Sequence, residues 1–206
     1  MKIISSLAIM LFCSSLLYSQ EELSANEREG LKVGDTVLNF TTIDADSNSI
    51  SLSDLLSKGP LVVVFYRGHW CPICNRHLQE FEKHLDTINA AGAEVIAISP
   101  EKPERLNKTK EKTAATFSLL YDEDYKISEQ FKLTFTPGKG TRKMYDTVLG
   151  ADLENAHSNG SERLPIPATF IINSNGVIVW RHFDPNYKKR SSIDEILENI
   201  PSNEQN

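Results

Sequence analysis

The chain has 206 residues, 40% hydrophobic and 24% charged, enough for one domain with a real core and too short for two large domains around a cleft. Its 22 basic against 28 acidic residues give a net charge of −6, the wrong sign for the basic face that a nucleic-acid partner requires. Three cysteines, Cys13, Cys71 and Cys74, are too few for a disulfide-stapled mini-domain.

Residues 1–19 carry Lys2, an apolar run from Ile3 to Leu17 and a small residue at Ser19, the layout of a secretory signal peptide. The run is short for a membrane span and is followed by Gln20, Glu21 and Glu22 rather than a basic flank, so no stable membrane anchor is expected. Cleavage takes Cys13 away, leaves one cysteine pair, and places the protein in an oxidising compartment, the periplasm or the secreted fraction. Residues 20–30 read as a loose arm or short helix, 31–200 as a single domain and 201–206 as a polar tail.

Along the domain, residues 36–42 and 49–52 read as short strands around a turn, and a short helix starts at Leu52. Residues 61–66 (LVVVFY) are apolar on both faces and belong in the centre of a covered sheet. A helix is expected from 72 to 91, with Leu78, Phe81, Leu85 and Ile88 at helical spacing and Gly92 as its stop. Residues 93–99 form the next buried strand, parallel to the first through a right-handed crossover. A charged helix at 103–116 carries Lys108, Lys110 and Lys112 among Glu104 and Glu111 as a solvated face. A strand at 119–121 and a helix at 125–131 follow. Residues 136–163 read as irregular, with Gly138-Lys139-Gly140 as a surface turn. Strands at 168–172 and 177–183 flank the turn Asn173–Gly176, and a helix at 191–200 ends before Pro201. The sum is an α/β fold: a central mixed β-sheet flanked by helices on both faces.

The chemistry sits in residues 66–78, YRGHWCPICNRHL. Cysteines at i and i+3 across a helix start approach to disulfide distance with little distortion, and Pro72 suits the first helical position. Free N–H groups and the dipole at that terminus favour negative charge on Cys71. Cys71 is therefore expected to be an exposed attacking thiolate and Cys74 a recessed resolving thiol. A static disulfide is a poor alternative, because a loop this short barely constrains the unfolded chain. A metal site would need His69, His77 or His84 to join the sulfurs, but His77 and His84 read as one solvated helix edge. No metal and no cofactor is expected.

Strand, WCPIC, helix, then Ile166-Pro167-Ala168-Thr169 before a hairpin resembles the thioredoxin superfamily. The fuller resemblance is to the peroxiredoxin-like branch of the alkyl hydroperoxide reductase/thiol-specific antioxidant family, carried by VGDTVLNFTTID, FYRGHWCPICNRHL, LPIPATFIINSNGVI and RHFDPNYKKRSSIDEIL. It implies a thioredoxin-like fold and a cis-proline at Pro167 facing the cysteines. It implies that Cys71 reduces hydrogen peroxide or an organic hydroperoxide, becomes a sulfenic acid, and condenses with Cys74. A thioredoxin-like donor would then reduce the disulfide. Family members carry Thr or Ser three residues before the peroxidatic cysteine, where this chain has Gly68. They carry Arg where it has Pro167, and Arg67 or Arg181 is left to substitute. Trp70 resembles the rim beside a thioredoxin cysteine, and Phe65 stands in place of that fold's buried acid. The substrate-binding candidates are Trp70, Pro167 and Arg67. The alternatives are a thiol–disulfide oxidoreductase acting on protein disulfides, and a metal-delivery module in which His157 or His182 would converge on the sulfurs.

Overall fold

The computed structural model describes residues 24–201, so the signal-peptide reading of residues 1–19 and the tail beyond residue 201 fall outside the described residues. The description opens with a 3₁₀ turn at Ala25–Glu27, where the Glu27 carboxylate accepts from the backbone N–H and hydroxyl of Ser24. Strands β1 (Thr41–Ile43) and β2 (Ser49–Ser51) pair antiparallel around a turn in which Asp44 accepts from the N–H groups of Asp46 and Asn48. The strand expected at 36–42 is thus shorter. Thr36 makes an isolated bridge to Val177 and the Val37 N–H bonds Gly176 O, so the chain crosses the 173–177 turn instead of running along a neighbour.

Ser51 caps α1 (Leu52–Leu56). Strand β3 (Leu61–Phe65) is buried at every position. The single helix expected at 72–91 is two, α2 (Pro72–Lys83) and α3 (Leu85–Ala90). His84 breaks the run because its ring Nδ1 takes the Glu80 carbonyl at 2.9 Å, and its own N–H turns to Phe81 O. Strand β4 (Glu94–Ser99) leads to α4 (Pro103–Thr113), which stops short of residue 116 because Ala114 takes a left-handed conformation at φ 58°. Strand β5 (Ser118–Tyr121), a 3₁₀ turn at Glu123–Tyr125, α5 (Lys126–Gln130) and β6 (Thr134–Phe135) follow.

The stretch expected to be irregular, 136–163, contains α6 (Lys139–Leu149) and α7 (Leu153–Ala156). Gly138-Lys139-Gly140 is the start of α6, not a surface turn, and Gly150 ends that helix at φ 67°. Its first five residues carry no apolar side chain, and Gly140, Thr141, Thr147 and Val148 are weak helix formers. Strands β7 (Leu164–Pro165), β8 (Ala168–Ile172) and β9 (Ile178–Phe183) precede α8 (Ile193–Asn199), opened by a Ser192–Glu195 capping box.

The central sheet has the order β5-β4-β3-β8-β9, with β3, β4 and β5 parallel and β8 and β9 antiparallel to their neighbours. Alternation along β3 separates two cores. Val62 and Val64 pack with Leu78 and Phe81 of α2, Ile88 of α3, Leu106 of α4 and Ile196 of α8. Leu61, Val63 and Phe65 pack on the other face with Leu52 and Leu55 of α1, Phe131 and Phe170. Helices therefore flank the mixed sheet on both faces, as expected from the sequence, and each of these side chains contributes about 1.5–3 kcal/mol by leaving water.

One buried polar pair makes stability depend on acidity. His157 is 1% exposed and its Nδ1 meets Tyr125 Oη at 2.7 Å. Burial, aided by Lys102 and Arg105, pushes its pKa down to about 4. The unfolded chain binds a proton there below pH ~6.5 while the folded chain stays neutral until about pH 4, so the contribution is complete at neutral pH and is lost as pH falls through that window. We expect urea unfolding to report about 2 kcal/mol less stability at pH 5 than at pH 7 from this residue, and a flatter profile in His157→Gln. An unchanged slope in that variant would show that His157 is not the proton acceptor.

Candidate active site

The last residues of β3 run into Tyr66, Arg67, Gly68, His69 and Trp70, and Cys71 is the N-cap of α2. Pro72 fills the first helical turn, and the Cys71 sulfur accepts from the Cys74 N–H at 3.3 Å. Cys71 and Cys74 form a disulfide with Cα atoms 5.2 Å apart. Cys74 is buried as expected, at 1% exposure, but Cys71 is buried too, at 0%. The exposed thiolate expected at Cys71 is corrected for a physical reason: its sulfur lies in one cluster with Tyr66, Trp70 and Tyr145.

Arg67 turns inward and reaches the site. Its Nη2 donates to Cys71 Sγ at 3.3 Å and its Nη1 to Tyr145 Oη at 2.9 Å. The guanidinium lies over the rings of Trp70, Tyr145 and Tyr187, at 5.1, 5.2 and 4.0 Å from their centroids. Among the described residues no carboxylate pairs with it, and burial draws its pKa below the ordinary guanidinium value. A cation buried among aromatic faces and aimed at a sulfur favours the anionic form of that sulfur. Arg181, the other arginine left to substitute, is elsewhere. Its Nη1 donates to Glu29 O and Leu31 O and ties the N-terminal segment to the edge strand.

Pro167 is buried and lines a cavity of about 190 Å³ together with Arg67, Phe135, Tyr145, Ile166 and Tyr187. It shares the space in front of Arg67, but no cis peptide bond occurs among the described residues, so the cis-proline expected there is a trans one.

Beside His69 lies a buried acid that the sequence did not single out. Glu101 is 0% exposed; its carboxylate accepts from the His69 N–H at 2.8 Å and meets His69 Nδ1 at 2.8 Å. The His69 carbonyl in turn accepts from Asn75 Nδ2 and Lys112 Nζ, so Lys112 braces the site instead of belonging to a wholly solvated face. Glu101 also accounts for Gly68. A Cβ at that position would fall 2.5 Å from Glu101 Oε1 and 2.6 Å from Trp70 Nε1, so no serine or threonine fits.

Four of the five histidines bond groups other than the sulfurs, while the buried Nε2 of His182 has no hydrogen-bond partner among the described residues. His69 pairs with Glu101, His84 with Glu80 O, and His157 with Tyr125. His77 bonds Ser191, correcting its expected place on a solvated edge. Among the described residues no group of three or more His, Cys, Asp or Glu side chains stands ready to hold a metal.

The model of the AhpC/TSA family matches residues 33–181. The chain belongs to the AhpC/TSA family. Peroxiredoxins are among its relatives. A Mycobacterium tuberculosis protein bearing a peroxiredoxin name is 33% identical over 155 residues, 75% of this chain and 86% of that protein. The Escherichia coli protein Peroxiredoxin Bcp is 36% identical over 101 residues, 49% of this chain and 64% of that protein. The crystal structure of the peroxidoxin BcpB from Mycobacterium tuberculosis superposes with a TM-score of 0.64 at 21% identity, covering 82% of this chain and 96% of that one. The fold of this AhpC/TSA protein is thus thioredoxin-like, a peroxiredoxin-like member of the thioredoxin superfamily.

Of the site residues read from the sequence, Cys71, Cys74, Arg67, Trp70 and Pro167 all converge. Tyr145, Tyr187, Glu101 and Arg190 were missed. Tyr145 comes from an unrecognised helix, Glu101 from two residues past β4, and Tyr187 and Arg190 from the one connection between β9 and α8. The one available signal was the aromatic and basic run Tyr187–Arg190 inside a motif already tied to the family.

Proposed function

We propose that this AhpC/TSA protein is a thiol peroxidase in which Cys71 is the peroxidatic and Cys74 the resolving cysteine. The observation that carries this reading is the Arg67 guanidinium, 3.3 Å from Cys71 Sγ at the start of a helix. The Cys71 thiolate attacks one peroxide oxygen, and the O–O bond breaks. The leaving oxygen departs with the electron pair and takes up a proton, leaving Cys71 as a sulfenic acid. Arg67 is placed to stabilise first the thiolate and then the charge passing onto oxygen. Trp70 and Pro167 wall the approach. Cys74 then closes the disulfide with loss of water, and a dithiol reductant of the thioredoxin type restores both thiols. Hydrogen peroxide and organic hydroperoxides are the substrate class.

The decisive measurement is peroxide consumption by the protein with and without a thioredoxin system. Turnover that depends on the reductant is expected. No consumption, together with fast reduction of insulin disulfides, would instead support the thiol–disulfide oxidoreductase. Gly68 favours that second reading, because no hydroxyl side chain is available to hold a peroxide at that position. We also place residues 31–200 as the catalytic domain, and the protein outside the cytoplasm once residues 1–19 are removed. The mass of the exported chain tests the cleavage.

A further inference from the structure

Arg190 lies between β9 and α8 and extends Nη2 to within 3.8 Å of Cys74 Sγ. Its Nη1 donates to Lys189 O at 2.9 Å. Like Arg67, it has no carboxylate partner among the described residues. Burial and the charge of Arg67 bring its pKa down to about 10, which leaves it cationic at neutral pH. Each sulfur of the pair therefore has its own guanidinium, Arg67 at Cys71 and Arg190 at Cys74. Partly buried cations without acids are costly to keep. Arg67 also faces the phenols of Tyr145 and Tyr187, but a phenol ordinarily titrates at about 10, well above a thiol, so the two thiols are the groups here that ionise most readily.

The segment carrying Arg190 is anchored on the same helix as Cys74. His77, one turn further along α2, meets Ser191 O at 3.1 Å and Ser191 Oγ at 3.2 Å, and Ser191 Oγ lies 2.9 Å from Thr169 Oγ1 on β8. Burial and the nearby Arg190 charge bring the His77 pKa down to about 4, so the ring is neutral at pH 7 and its Nε2–H donates to the Ser191 carbonyl. Residues 190–191 are thus clamped between α2 and the sheet, with Arg190 turned to the sulfur.

We infer that Arg190 is a catalytic residue that holds Cys74 as the thiolate which closes the disulfide on the Cys71 sulfenic acid, a role that rests on the peroxidase reading. In that step the Cys74 thiolate pair forms the S–S bond. The S–O bond of Cys71 breaks, and the oxygen leaves as hydroxide that takes up the proton Cys74 gave to solvent, so that one water is lost. Cys74 is oxidised and the sulfenic sulfur reduced, with no further reactant required. The Cys74 proton has already gone to solvent, which is the contribution of Arg190.

The test reads Cys74 directly. In reduced Cys13→Ser/Cys71→Ser protein, thiolate absorbance near 240 nm against pH titrates Cys74 alone. The midpoint is expected about one pH unit or more below an ordinary thiol near 8.5. Arg190→Met is expected to return it by a similar amount, about a tenfold loss of thiolate at neutral pH, and Arg190→Lys to recover part of it. In protein with both active cysteines, Arg190→Met should let the Cys71 sulfenic acid persist long enough for dimedone trapping. If Arg190→Met fails to fold, Arg190→Gln is read in the same way. A Cys74 midpoint that is the same with and without Arg190 overturns the assignment, and does so even when peroxide consumption is normal. Absent peroxide consumption with an Arg190-dependent midpoint would sink the peroxidase reading and the sulfenic step with it.

Discussion

Cys71→Ser is expected to abolish peroxide turnover, and Arg67→Met to reduce it about 10- to 100-fold. Serine removes the nucleophile, and no other sulfur can replace it, since Cys74 sits inside the first turn of α2 and its backbone N–H points at Cys71 Sγ. The Arg67 figure follows from one charge-assisted hydrogen bond to an ionised group, about 1.5–3 kcal/mol, converted at about 1.4 kcal/mol per factor of ten. The loss should come without unfolding. Replacing a buried, acid-free cation by an apolar chain of similar length is neutral or stabilising, and methionine packs well against Trp70, Tyr145 and Tyr187. Arg67→Lys should recover only part of the rate, because the charge returns but the planar fork that joins Tyr145 to Cys71 does not. Stopped-flow oxidation by peroxide beside a melting curve separates the two effects. A wild-type rate in Arg67→Met would remove Arg67 from the mechanism.

Gly68→Thr is expected to destabilise the fold by about 3 kcal/mol or more, and not to improve peroxide reduction. The substitution restores the hydroxyl usual in the family, but its first side-chain carbon would fall 2.5 Å from Glu101 Oε1. Glu101 cannot step aside cheaply: it is fully buried and held by both the N–H and the ring of His69. Overpacking of this kind costs about 1–3 kcal/mol, and pulling the buried Glu101 carboxyl off its hydrogen-bond partners about 1–3 kcal/mol or more. Urea unfolding measures the sum. A change within about 0.5 kcal/mol, the range of an ordinary surface substitution, would mean that Glu101 is not rigidly placed.

The parts of this protein legible in its sequence are those written in short-range pattern. Residues 61–66 announce a central strand because every side chain there is apolar, and the structure buries each position of β3. The cysteine spacing with Pro72 announces a helix start, and Cys71 is its N-cap. What escaped notice depends on contacts between distant segments. Tyr145 meets Arg67 from a helix that opens on Lys139, Gly140 and Thr141, with weak helix formers and no apolar residue to announce it. Glu101 reads as one acid in a charged stretch until the sheet places it beside His69, and Arg190 as one more base near the C-terminus until Ser191 bonds His77. The sequence leaves both Arg67 and Arg181 open as substitutes for the family arginine, with Arg67 alone named as a site candidate. The fold separates them, one to the sulfur and one to the N-terminal segment.

The paired guanidinium groups bear on the charge balance of the catalytic cycle. In the disulfide form both cations face neutral sulfurs, with no acid among the described residues to offset them. Reduction delivers the negative charge that this corner of the fold lacks, so the electrostatic strain falls on the oxidised state and is relieved when the reductant acts. The two cations thus make the disulfide easier to reduce than the same pair would be without them, which favours the half of the cycle that restores the thiols.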